Sequence, residues 1–161
     1  MMVKVEKRIL IKAPIRSIFC FIDDPINLAR ATSGMIEVSD VLHLRNGGRR
    51  FQCVIQMAGS HIQCFVDCTE HSAYRCLAYH ISGGMHGSMR WLFHPQGDDT
   101  EVTLSIDYEV PHPLLKRHTE SAVTRRNERG IQLLLCNLKS EAERQMHLQG
   151  EENRYGVITH P

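Results

Sequence analysis

The residues best suited to proton chemistry are the phenols of Tyr79 and Tyr108, the carboxyl of Glu120 and the imidazole of His112. One acid or base beside a well-positioned substrate is enough for proton-transfer catalysis, so Tyr108, Glu120 and His112 are the candidates for that role. Signatures of heavier chemistry are missing. The histidines fall at 43, 61, 71, 80, 86, 94, 112, 118, 147 and 160, with no H-E-x-x-H and no recurring ligand spacing. No metal site is expected, and His61 and His71 read as solvated residues beside turns. The six cysteines (Cys20, Cys53, Cys64, Cys68, Cys76, Cys136) include no C-x-x-C pair. Cys64 and Cys68 on one strand would stand roughly 13 Å apart, so reduced thiols are expected rather than a disulfide or zinc framework. There is no nucleophile elbow, phosphate-cradling loop or paired-carboxylate motif.

Composition narrows the remaining classes. The chain has 161 residues, 42% hydrophobic and 23% charged, which suits one globular domain and excludes wholesale disorder. Nineteen basic against eighteen acidic side chains leave a formal charge of +1, no field for nucleic acid or an anionic membrane. The basic tip Arg45-Asn46-Gly47-Gly48-Arg49-Arg50 lacks interleaved aromatics and reads as a solvated turn. No apolar run approaches the ~20 residues of a membrane span, and Met1 to Arg8 alternates charge where a signal peptide would be apolar. A soluble, cytoplasmic protein is expected, with no stable membrane insertion and no bound cofactor.

The elements that must position these side chains are legible from periodicity. Val3 to Lys12 reads as a strand. Pro14 opens a helix with Ile15, Ile18, Phe19 and Ile22 at helical spacing, and Asp23-Asp24-Pro25 breaks it before a second short helix over Ile26 to Ala31. From Gly34 to Pro111, strand-like runs separated by Asn46-Gly47, Ala58-Gly59-Ser60, Glu70 to Ala73, Gly83-Gly84 and Gln96 to Asp99 read as a six-strand antiparallel meander. The period then changes: Val123, Asn127, Ile131, Leu134 and Leu138 form one stripe of an amphipathic helix of roughly 25–30 residues. The expected domain is 1–148, followed by a flexible tail at 149–161.

Hairpin registers agree with one another. A turn at Gly84 sets Leu77 opposite Trp91, Tyr79 opposite Met89 and Ile81 opposite Gly87; a turn at Gly97-Asp98 sets Trp91 opposite Leu104, Met89 opposite Ile106 and Phe93 opposite Val102. One face therefore collects the apolar and aromatic residues, and its reverse collects His80, Arg90, His94, Thr103, Ser105, Asp107 and Glu109. Upstream, Cys68 falls opposite Cys76 or Leu77, depending on a one-residue slip.

A strand, two short helices, six strands and a long helix assemble economically as a strongly curved antiparallel sheet of about seven strands around the C-terminal helix, the short helices closing one end. At this point the chain resembles the SRPBCC superfamily of START-like, helix-grip proteins, an α+β fold with coenzyme Q-binding and polyketide cyclase/dehydrase members. The resemblance lies in Ile11-Lys12-Ala13-Pro14 to Phe19 followed by Asp23-Asp24-Pro25, in Gly83-Gly84 with Gly87 to Pro95, in Thr100 to Pro111, and in Asn137-Leu138-Lys139 to Glu143. Many members carry a tryptophan after the short-helix break, where this chain has Leu28-Ala29-Arg30-Ala31, so a less aromatic lid is expected.

A curved sheet and a helix diverge at mid-length and leave an apolar space, which small residues such as Gly87, Ala122 and Gly130 would enlarge. The expected ligand-binding residues are Tyr79, Met89, Trp91, Ile106 and Tyr108 on the sheet, with Glu120, Val123, Asn127 and Ile131 on the helix. Asn127 interrupts an apolar stripe, and an unpaired buried amide costs ~1–3 kcal/mol. Each buried phenol needs a partner, whether ligand, water or neighbouring side chain. The function expected is binding of a hydrophobic small molecule, such as a lipid, quinone or polyketide-like aromatic. The alternatives are a cyclase/dehydrase-type enzyme, which the resemblance permits, and a protein-interaction module with an incidental cavity. Homodimerisation through an edge strand is compatible with the sequence.

Overall fold

The computed structural model describes residues 2–57, 59–111 and 119–155. Strand β1 (Met2–Ile11) leads into helices α1 (Ile15–Asp23) and α2 (Pro25–Ala31). The meander follows as β2 (Met35–His43), β3 (Arg49–Met57), β4 (Ser60–Ser72), β5 (Cys76–Gly83), β6 (His86–Gln96) and β7 (Asp99–Glu109), and the chain ends in α3 (Glu120–Tyr155). All seven strands join one antiparallel sheet in the order β1-β7-β6-β5-β4-β3-β2. The long helix packs against the sheet with α1 and α2 at one end: the helix-grip α+β arrangement.

Local chemistry explains the element boundaries. Asp24 ends α1 and caps α2, its carboxylate accepting from the Ile26 amide at 2.9 Å, and Pro25 fills the first turn, where no N–H is needed. Gly47 (φ 94°) and Gly83 (φ 93°) take the left-handed backbone at two hairpins. Thr119 caps α3 by accepting from the Ala122 amide at 3.2 Å.

The registers of the late meander stand as the turns dictate: Leu77, Tyr79 and Ile81 oppose Trp91, Met89 and Gly87, and Trp91, Met89 and Phe93 oppose Leu104, Ile106 and Val102. Cys68 instead opposes Tyr79, because a bulge between Cys68 and Glu70 shifts β4 against β5. On the reverse face, Thr103 is buried between Arg8 and Leu92 in the ladder, where an outward position was expected. Helix α3 has 36 residues, more than its apolar stripe requires, and continues past Gly150 through part of the segment expected as a tail. Beyond the sheet, i,i+4 contacts such as His147–Glu151 at 3.1 Å support that turn without burial.

The Asn137-Leu138-Lys139…Glu143 stretch docks this helix. Asn137 donates to the Ala31 carbonyl at 2.9 Å, tying α3 to the end of α2. Lys139 donates to the Leu10 carbonyl (2.9 Å) and to Glu143 (2.8 Å), and Glu143 accepts from the Lys12 amide (3.3 Å). Partial burial works against the Glu143 charge, yet the Lys139 and Lys12 contacts hold its pKa below the usual carboxylate value. Buried Thr100 donates to the Ala13 carbonyl at 2.9 Å and fixes the turn from β1 into α1.

All six thiols are free; Cys53, Cys64, Cys68 and Cys76 are buried, Cys20 and Cys136 exposed. Burial pushes Cys53 up to about 12 and Cys76 to about 11, and raises Cys64 and Cys68. At pH 8 a thiol of pKa 12 is thiolate in roughly one molecule in ten thousand. Alkylation of native protein should therefore modify Cys20 and Cys136 quickly and leave the other four until unfolding. Peptide mapping checks this, and rapid labelling of Cys53 would contradict its placement.

Candidate functional site

One half of the sheet–helix interface is filled and the other is open. Trp91, Phe93, Val102 and Leu104 on the sheet, with Leu135 and Leu138 on α3, are almost wholly buried. Toward the other end lies a cavity of about 490 Å³. Its sheet wall is Ile55, Met57, Ile81, Met89, Ile106 and Tyr108. Its helix wall is Ala122, Val123, Asn127, Gly130, Ile131 and Leu134, with Arg126 also on the lining. Leu28 of α2, Thr32 just after it and Met35 at the start of β2 close it, with Met85 from the β5–β6 turn and Val110 from just past β7.

The lining is apolar with few exceptions, and two of those stand out. Tyr108 Oη and Asn127 Nδ2 are buried and find no hydrogen-bond partner among the described residues. Both donors belong to cavity-lining residues, one on the sheet and one on the helix. An unsatisfied buried donor costs ~1–3 kcal/mol, so two in one apolar space form a pair that an oxygen-bearing guest would satisfy. Burial alone raises the Tyr108 pKa far above its ordinary value, keeping the phenol protonated and a donor throughout the neutral range.

Of the sequence-derived site residues, Met89, Ile106, Tyr108, Val123, Asn127 and Ile131 line the cavity. Tyr79, Trp91 and Glu120 do not. Trp91 shares the concave face but lies fully buried in the filled half, its indole N–H on Met89 Sδ at 3.2 Å. Tyr79 is also buried, opposite Cys68, with its pKa raised by burial first and by Cys68 and Asp23 next. Glu120 is exposed in the first turn of α3, where the helix begins outside the sheet's grip. His112 and His118 lie outside the described residues.

Gly87 serves a different purpose from the one its size suggested. It opposes Tyr108, and a Cβ there would collide with the Asp107 carbonyl and with Tyr108 itself. Its small size permits close approach of β6 and β7 and leaves the cavity volume unaffected. Gly130 and Ala122 do line the cavity, and a Cβ at Gly130 would meet nothing within 4 Å. The segment after the helix break contributes Leu28 and no aromatic side chain.

Among the methionines, sequence reasoning placed Met89 at the site and missed the other three that line it. Four of the chain's seven, Met35, Met57, Met85 and Met89, line the cavity from separate elements. Flexible thioethers suit a wall that adapts to its guest, and the methionine count was the available signal. It also missed a polar cluster at the filled end. His71 Nε2 lies 3.1 Å from Asp23 Oδ2, Arg49 Nη1 donates to the Asp23 carbonyl at 2.8 Å, and Phe19 packs edge-on against His71. His71 is thus half-buried rather than solvated, because the end of α1 lands on β3 and β4.

The sequence of residues 2–143 matches the family model described as polyketide cyclase / dehydrase and lipid transport. The chain belongs to this family. Solved structures of the same fold include a protein of Thermus thermophilus, at 18% identity and TM-score 0.74, covering 90% of this chain and 99% of that one. The Zhui aromatase/cyclase of a Streptomyces species matches at 20% identity and TM-score 0.73, covering 91% and 96%. A START superfamily protein of Mycobacterium smegmatis matches at 14% identity and TM-score 0.74, covering 88% and 98%. No curated protein matches in sequence. Family and fold together support a domain built to bind hydrophobic ligands. Among the described residues no helix is long and apolar enough to cross a membrane.

Proposed function

We propose that this protein binds an oxygen-bearing hydrophobic small molecule, of the lipid, quinone or polyketide-aromatic type, in the cavity between the sheet and α3. One observation carries the reading: an apolar cavity whose lining holds two buried donors, Tyr108 Oη and Asn127 Nδ2, without partners among the described residues. The methionine-rich wall would mould to the carbon skeleton, while the two donors would fix a carbonyl or ring oxygen. In the cyclase/dehydrase-type alternative, the group in place is Tyr108. Its raised pKa suits a hydrogen-bond donor that polarises a carbonyl and makes it a poor base at neutral pH.

The test measures binding of a matched pair, menadione and 2-methylnaphthalene, by quenching of Trp91 fluorescence. The quinone should bind tighter than the hydrocarbon. Tyr108→Phe and Asn127→Leu should each weaken the quinone about tenfold, the loss of one hydrogen bond of ~1.4 kcal/mol, and leave the hydrocarbon unchanged. Equal affinities for the two probes in the unaltered protein would refute the role given to the donors. Failure of both to bind would refute the cavity reading.

A further inference from the structure

Arg126 is the only charged residue on the cavity lining among the described residues. Its side chain is exposed, and among the described residues no carboxylate lies within ion-pair distance of it. Its neighbours one turn away on either side are Ala122 and Gly130, both on the lining and both small. A Cβ at Gly130 would meet nothing within 4 Å, so the flank of Arg126 toward the C-terminal end of the helix is open. The next residue, Asn127, turns a buried amide donor into the same space. A guanidinium without a counter-charge among the described residues therefore stands at the rim of an apolar chamber, adjacent in sequence to the donor inside.

We infer that the cavity takes an acidic amphiphile, its carbon skeleton inside and its carboxylate paired with Arg126 at the rim. This rests on the cavity reading above and adds to it a sign of charge and a direction of entry. A carboxylate suits guanidinium geometry, which offers two parallel N–H donors. Placed at the rim, it keeps its hydration on one side and meets the cation on the other, avoiding the cost of burying an unpaired charge. Apolar surface burial would supply most of the affinity and Arg126 the selection.

The experiment compares laurate with methyl laurate by isothermal titration, in the unaltered protein and in Arg126→Gln, Arg126→Lys and Gly130→Phe. Laurate should bind about tenfold tighter than its ester, and the preference should shrink as salt rises from 50 to about 500 mM, where screening is stronger. Arg126→Gln should abolish the preference and leave ester affinity unchanged; Arg126→Lys should keep part of it. Equal affinity for acid and ester in the unaltered protein, or an Arg126→Gln loss shared by both, would overturn the inference. Ester binding that Gly130→Phe removes would show that the cavity reading survives such a failure. If neither laurate nor its ester binds the unaltered protein, the inference falls, and menadione binding decides whether the cavity reading stands.

Discussion

Replacing Trp91 by alanine should cost about 3–5 kcal/mol of stability, the largest loss expected from any single side chain here. Trp91 has no solvent exposure and stands opposite Leu77 and Leu104 at the centre of the concave face. Truncation removes its apolar contacts and leaves a void that neighbours in regular strands cannot close. Domains of this size hold a margin of about 5–15 kcal/mol, so the variant should fold with much of that margin gone. The melting temperature should fall by roughly 10–15 °C, at about 3 °C per kcal/mol. Trp91→Phe, which keeps a ring in the site, should lose far less. The consequence reaches the cavity because the indole N–H rests on Met89 Sδ, and Met89 is part of the cavity wall. Urea unfolding of the three proteins provides the check; a loss below about 1 kcal/mol for the alanine variant would mean that Trp91 does not hold the sheet against the helix.

Gly130→Phe should have effects of opposite sign on stability and on binding. In a helix interior glycine costs ~1 kcal/mol relative to alanine, and phenylalanine recovers part of that difference. The new side chain meets open space at Cβ, so its first carbon adds no clash, and stability should be unchanged or slightly higher. It would also occupy the helix wall of the cavity beside Asn127 and Leu134. Binding of any guest that fills the chamber should fall at least a hundredfold, or about 2.7 kcal/mol. Gly130→Ala separates the two effects: it should raise the melting temperature while leaving affinity within a few-fold. A destabilised Gly130→Phe would mean that the space beside α3 is narrower than the structure has it, and unchanged affinity would place the guest elsewhere.

Much of this fold is written in local chemistry. The pairings Leu77–Trp91 and Trp91–Leu104 follow from two hairpin turns and a period of two, since a one-residue slip would turn every apolar side chain outward. The helix stripe from Val123 to Leu138 follows from the 3.6-residue period in the same way. Signals of this kind operate within a few residues, and they fixed which face of each element is inward. Asn127 was legible as a polar interruption of that stripe, and Tyr108 as a phenol on the inward face.

What they do not contain is distance along the face. Tyr79 and Trp91 point to the same side as Met89 and Tyr108, yet the first two are core and the last two line the cavity. That division depends on where the curved sheet separates from α3, a property of seven strands and a helix packed together. The same holds for Met35, Met57 and Met85, which meet from distant stretches of chain, and for His71, which pairs with Asp23 across 48 positions. The elements, their pairing and their inward faces are set by periodicity and turn chemistry, which act locally. Where the apolar face stays open, and which two donors are left there without partners among the described residues, follows instead from the curvature of the whole sheet.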